Sequence, residues 1–252
     1  MRSLKVSIII PCYNNDATIM RALESVAQSS YQNLEIFIFD DASTDQSVNK
    51  IKEFISKNPN MNVILIESKE NKGAGFARNK LLSQAAGQFY AFLDADDYWY
   101  EGKLEQQVMA IHEYGLDIVT CSYDIRDEDN NYLGIREVPE KLTYMKMLMA
   151  NWLPMSMTLV SSDLINASQM PDVRKRQDYA YWLCIFRDNR DLKFGSINNA
   201  LGCYERRSNS LSSNKVQNLK YNYWVFNKAL KMNKILAIIL VTLNIVVRMT
   251  RT

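Results

Sequence analysis

Apolar residues along the first 120 or so positions keep two rhythms. Mostly apolar runs of five or six, KVSIII (5–10), LEIFIF (34–39), NVILIE (62–67), FYAFL (89–93) and DIVTCS (117–122), are too short for helices and rich in branched and aromatic residues. Each predicts a buried strand. Between them, apolar residues recur at spacings of three and four. That spacing predicts helices with Ile19, Leu23, Val26 and Ala27 on one face, then Val48, Ile51, Phe54 and Ile55 behind a capping Asp45. A third helix runs through Leu81 and Ala85 and closes near Gly87, and a fourth carries Leu104, Val108 and Ile111. Continuously apolar strands alternating with helices make an α/β fold, a mostly parallel sheet with helices on both faces.

The second half loses that rhythm. RDEDNNYLG (126–134) reads as a hairpin or loop, 144–150 as a helix and PMSMTLV (154–160) as a strand. RKRQDYAYWLCIFRD (174–188) is an amphipathic helix with Tyr179, Trp182, Leu183 and Phe186 at helical spacing. The expected division is one domain over 1–213, with a ligand-binding half (1–122) and a less regular half (123–213), followed by a basic, apolar helical tail (214–252).

Charge sharpens the division. The 252-residue chain has a net charge of only +2, which gives no footing for a nucleic-acid partner. Seven Lys and Arg and no acid lie beyond position 213, so the tail carries +7 and the rest −5. The four cysteines (12, 121, 184 and 203) are scattered with no CxxC, as in a reducing compartment, and a zinc site is not expected with one histidine, His112, which reads as a surface helix residue. The N-terminal stretch is broken too soon by Pro11 for a secretory signal.

The candidate chemistry gathers where strands end. Ligands of such sheets bind beyond the carboxyl ends of the strands. Asp40 and Asp41 close the second strand, and Asp94, Asp96 and Asp97 close the fourth in FLDADDYW. Alone, DAD is better explained by a turn and helix cap. Two carboxylate clusters at one sheet edge suggest a metal-bound nucleotide, because hard oxygen ligands bind a divalent cation that in turn binds phosphate. NKGAGFARN (71–79) resembles a phosphate-cradling loop before a helix N-terminus, without the third glycine of a dinucleotide fingerprint or the Lys of a P-loop. Arg78 there is a phosphate or base contact, or a solvated helical residue. Asp178 is a general base or a simple first-turn acid that suits the helix dipole.

Taken in order, VSIIIPCYNN, FDDASTD, NKGAGFARN, FLDADDYW and RQDYAYWL resemble the family 2 glycosyltransferases, over about the first 210 residues. The resemblance implies a GT-A type (Rossmann-like) fold and an inverting transfer of a sugar from a nucleoside diphosphate sugar, UDP-linked by default, to an acceptor hydroxyl. It implies that Pro11, Cys12 and Tyr13 line the nucleotide pocket, that Asp41 meets base or ribose, and that Asp94, Ala95 and Asp96 form the donor-binding Asp-x-Asp, with Arg78 nearby. Asp96 is the implied ligand of a manganese or magnesium ion, with Asp94 and Asp97 as further candidates. Asp178 matches the family's general base, and Gln177 stands where relatives carry Glu. In YERRSNSLSSNK the family's Arg after Tyr is Glu205, which leaves Arg206 and Arg207 as alternatives for the diphosphate; Arg174, Lys175 and Arg176 suit an anionic acceptor or a solvated turn. A sugar nucleotidyltransferase fits less well, since PCYNND has no glycine after strand one, and the joint presence of the acids at 41, 94, 96 and 178 weighs against a mere sugar-nucleotide binder.

The tail run ILAIILVTLNIVV (235–247) is too short to span a bilayer, and its basic and aromatic flanks suit a helix lying on an anionic membrane surface or packed on the body. With the resemblance, this implies a glycan or lipid-linked acceptor and a cytoplasmic protein on the inner face of the plasma membrane.

Overall fold

The computed structural model describes residues 3–166, 169–171, 173, 175–206 and 215–249. The expected strands and helices of the first half form β1 (Val6–Cys12), α1 (Ile19–Ala27), β2 (Leu34–Asp40), α2 (Ser47–Lys57), β3 (Val63–Glu67), α3 (Ala74–Leu82) and β4 (Phe89–Phe92). β3, β2, β1 and β4 lie side by side in that order and are all parallel. Alternation along each strand sorts the core into two layers. Ile8, Ile10, Ile36 and Ile38 pack with Leu23 of α1 and Ile51 of α2. Ile9, Phe37, Phe39 and Phe92 face the other way, onto Leu81 of α3 and the wholly buried Trp182. Each such side chain contributes about 1.5–3 kcal/mol by leaving water.

The second half extends the same sheet with mixed polarity. A short β5 (Tyr98–Trp99) precedes α4 (Lys103–Tyr114), whose last turn holds the exposed His112. Then come β6 (Ile118–Asp127), β7 (Tyr132–Arg136), α5 (Tyr144–Met149), β8 (Leu159–Ser161), α6 (Ser162–Asn166), α7 (Gln177–Asp188) and β9 (Phe194–Arg206). β8 is antiparallel to both β4 and β6, and β9 runs parallel to β6. Position 122, where the sequence changes character, falls inside β6. RDEDNNYLG is a true hairpin, with β7 turning back along β6. After α8 (Lys215–Trp224) and a wide helical turn (Val225–Ala229), the tail ends in α9 (Lys234–Met249). All four cysteines are free thiols.

Three local expectations need correcting. Only the end of PMSMTLV is a strand, since Met155–Met157 coil into a 3-10 turn that aims Ser156 at the strand tips. Next, α3 stops at Leu82, and Gly87 serves close approach: a Cβ there would sit 2.5 Å from the Ser7 hydroxyl, which accepts the Gly87 N–H at 2.8 Å. And β2 buries a charge, Glu35, at the end opposite the aspartates. Its carboxylate pairs with Lys5 Nζ at 2.6 Å and accepts from Ser7 Oγ at 2.6 Å and Ala86 N at 3.0 Å, which repays the cost of its burial.

Candidate active site

Parallel register brings the acids together. Cys12 of β1 lies opposite Asp40 of β2, and the Asp41 N–H returns to the Cys12 carbonyl at 2.8 Å. Phe92 pairs with Ile9 and the Leu93 N–H donates to Ile9 O at 3.1 Å, so Asp94 emerges beside Pro11. Beyond β1 the chain is stitched to the loop after β2: Asn14 N donates to Ser43 Oγ (2.9 Å), Thr44 N to Asn14 Oδ1 (2.8 Å) and Asn15 N to Ser47 Oγ (2.8 Å). Pro11 and Cys12 are buried while Tyr13 stands exposed at the rim. Burial, then the neighbouring Asp40, push the Cys12 thiol up to about 12, so it is neutral and no nucleophile.

Asp41 shapes the glycine loop. Its two carboxylate oxygens accept from the backbone N–H groups of Lys72 (2.8 Å) and Gly73 (2.6 Å), and Gly73 takes φ +88°, which favours glycine. α3 begins directly afterwards. The Gln177 amide, in the orientation that satisfies both its groups, accepts from Gly75 N at 3.1 Å and donates to Val173 O at 2.9 Å. The residue standing in place of an acid therefore ties the start of α7 to the start of α3.

The three acids of FLDADDYW have three different surroundings. Asp94, half-buried, is ion-paired with Arg78, whose guanidinium is buried beneath it. Arg78 is thus not a solvated helical residue. Asp96 is half-exposed at the tip of the turn, and its carbonyl accepts from Arg21 at 3.0 Å. Asp97 is turned into the protein, away from the role of extra metal ligand. Its carboxylate accepts from Ser156 Oγ at 2.5 Å and from Glu205 N at 3.1 Å. Ser156 Oγ also accepts the Asp94 N–H at 3.1 Å, and Trp99 Nε1 holds the Ser156 carbonyl at 2.6 Å. Glu205 points inward to pair with Arg21, leaving Arg206 exposed; Arg174 and Arg207 lie outside the described residues.

Burial, then the charges of Asp96 and Asp94, hold the Asp97 carboxyl well above the usual range. An unfolded Asp titrates near about 4. From there up to its raised folded value the folded protein holds the extra proton, so this group makes stability fall as pH rises. Asp97→Asn removes that titration. Wild type should lose stability relative to the variant as pH climbs from about 4 through that window, measured as denaturant midpoints. Curves that stay parallel would mean that Asp97 titrates normally.

Asp178 lies in the first turn of α7, and its Oδ2 accepts from Asn151 Nδ2 at 2.8 Å. Two routes connect it to Asp94. Asn151 and Ser156 belong to one short segment, five residues spanning at most about 17 Å, and Gln177 meets α3, which carries Arg78. Among the described residues no three His, Cys, Asp or Glu side chains close into a metal cage. The carboxylates of Asp96 and Asp94 at an open tip nonetheless fit a hard cation that keeps one or two protein oxygens and takes the rest from a diphosphate. Sequence reading missed Ser156, Asn151 and the Arg21–Glu205 pair. A small polar residue in an apolar run, as Ser156 is in PMSMTLV, was the one available signal.

The family model described as Glycosyl transferase family 2 matches residues 7–163. WfgD of Escherichia coli, named UDP-Glc:alpha-D-GlcNAc-diphosphoundecaprenol beta-1,3-glucosyltransferase, is 35% identical over 217 residues, 85% of this chain and 82% of that one. AmsB of Erwinia amylovora, an amylovoran biosynthesis glycosyltransferase, is 28% identical over 242 residues, 89% of this chain and 78% of the other. Among solved structures, S. aureus TarS 1-349 in complex with UDP-GlcNAc superposes with a TM-score of 0.72 at 20% identity, over 96% of this chain and 72% of that one. A mannosyltransferase from Pyrobaculum calidifontis, in complex with GDP-Man and Mn2+, gives 0.69 at 17% identity, over 92% and 65% of the two chains. The fold is of the GT-A type.

Proposed function

The chain belongs to the family 2 glycosyltransferases, and from that premise we propose that it moves a sugar from a UDP-sugar to a hydroxyl of a lipid-diphosphate-linked acceptor, with inversion, during assembly of a surface polysaccharide. The names of WfgD and AmsB support the acceptor and the pathway class, and the UDP-GlcNAc bound by TarS supports the donor. The observation that carries the reading is Asp178, a carboxylate oriented by Asn151 on a helix tied to the glycine loop. As base it takes the proton of the acceptor hydroxyl while the oxygen attacks the anomeric carbon from the face opposite the diphosphate. Pro11, Cys12 and Tyr13 wall the nucleotide. Asp41 sets the Lys72–Gly73 backbone beside it, and Asp94, steadied by Arg78, faces ribose or sugar with Ala95 alongside. A manganese or magnesium ion, held by Asp96 with Asp94 near, would offset the charge growing on the leaving diphosphate. The enzyme works at the inner face of the plasma membrane, where lipid-linked acceptors are built.

Calorimetric titration of UDP and GDP, with and without Mn2+, on wild type and Asp96→Ala tests this. UDP should bind with the metal, and affinity should fall about tenfold or more in the variant. Binding of neither nucleotide under any condition overturns the transferase reading; tight GDP binding overturns the donor assignment.

A further inference from the structure

α9 is apolar on both faces. The amide of Asn244 faces the body: its Nδ2 donates to Leu148 O at the end of α5 (2.7 Å) and to Leu240 O (3.0 Å), and its Oδ1 accepts from Asn222 Nδ2 (3.5 Å). Ala237 and Leu240 are buried on the same side. The outward face is Ile235, Ile238, Ile239, Leu243, Ile245 and Val246, with Ile235 74% and Ile238 57% exposed. Thr242 shares that face, and its hydroxyl donates back to Ile238 O at 3.1 Å, so even this group is satisfied within the helix. A helix resting on a protein and facing water carries polar residues on its outward face, and this one does not.

Charge and length name the occupant. Lys228, Lys231 and Lys234 are exposed at the start of the helix, and no acid lies between position 214 and the end of the chain. The 16 residues of α9 measure about 24 Å, short of the roughly 30 Å hydrocarbon core, and no described helix is long and apolar enough to cross a membrane. We propose that α9 lies flat in the surface of an anionic lipid bilayer, its outward isoleucines among the upper acyl chains and its lysines at the headgroups.

The docking has a consequence for the site. Tyr179 follows Asp178 directly, and its hydroxyl donates to the carbonyls of Met147 (2.8 Å) and Leu148 (3.1 Å), the latter also bound by Asn244. α9 in the bilayer therefore holds the first turn of α7 at a fixed height above the lipid. This last step rests on the transferase reading; the docking itself does not.

The full chain is sedimented with vesicles of phosphatidylglycerol and phosphatidylcholine, and with phosphatidylcholine alone, beside the variant carrying Ile239→Asp and Val246→Asp and the variant carrying Lys228→Glu and Lys234→Glu. All four positions are outside the core, and circular dichroism with thermal melts checks folding. Wild type should partition onto the anionic vesicles, the aspartate variant about tenfold or more weaker, and the glutamate variant weaker with loss of the preference for anionic lipid. A wild type that ignores vesicles, or an aspartate variant that binds them equally, overturns the proposal. So does a dimer that the aspartate variant splits without any vesicle binding, which assigns the face to a second copy. UDP titration of the same samples separates the two readings: lost vesicle binding with retained UDP binding counts against α9 alone, and the reverse against the transferase site alone.

Discussion

Asp178→Asn should lower kcat by about 10²–10⁴, the usual worth of a general base, with UDP binding unchanged. Asn keeps the shape and an oxygen able to accept the Asn151 amide proton at the present 2.8 Å, so α7 and its tie to α3 survive. What goes is the capacity to take the acceptor proton. Turnover of labelled UDP-sugar beside calorimetric UDP binding separates the two. Near-wild-type turnover would move the base elsewhere; lost UDP binding would make Asp178 part of the donor pocket. Asn151 acts through Asp178 and is a positioning residue. Asn151→Ala should lower kcat while UDP binding and the KM for the UDP-sugar stay unchanged, a split that a merely structural role would not give.

Asp94→Ala should cost the fold more than Arg78→Met. The Arg78 side chain is 6% exposed and that of Asp94 34%. Removing the acid leaves a buried guanidinium without its counter-charge, and breaking a buried pair in this way costs about 3–5 kcal/mol. Because Asp94 is partly hydrated and the pair partly screened, the lower end or somewhat less, about 2–3 kcal/mol, is expected. Arg78→Met keeps an apolar stem and leaves a carboxylate that water can reach, at about 1 kcal/mol. The double variant should recover much of the loss of Asp94→Ala, since the stranded charge has gone. Urea denaturation midpoints of the four proteins test this, and a double variant whose loss equals the sum of the two single losses would mean that the pair contributes nothing. The same pair is a contact the sequence could not supply: an arginine in a glycine-rich segment gives no sign of its partner, and only the register of β4 against β1 brings Asp94 to it.

By itself the sequence determined the first half of the fold. Its strands are continuous apolar runs and its helices keep a 3.6-residue period, signals set by local geometry and burial on both faces of a sheet. It also determined at which edge the acids gather, because Asp41 and Asp94 can only follow the strands that precede them. What each acid does was decided by tertiary contacts. Asp94, Asp96 and Asp97 are nearly adjacent in the chain, yet one pairs with Arg78, one sits at the tip and one is buried against Ser156 and the Glu205 backbone. These partners come from positions up to 108 residues away, and no local pattern encodes them. β9 was illegible for the same reason: its mixed sequence becomes a strand through pairing with β6 and β5. The direction of α9 was likewise beyond the sequence. An apolar run with one Asn has no inside until the Leu148 carbonyl at the end of α5, shared with the Tyr179 hydroxyl, supplies a partner for the amide and turns the isoleucines outward.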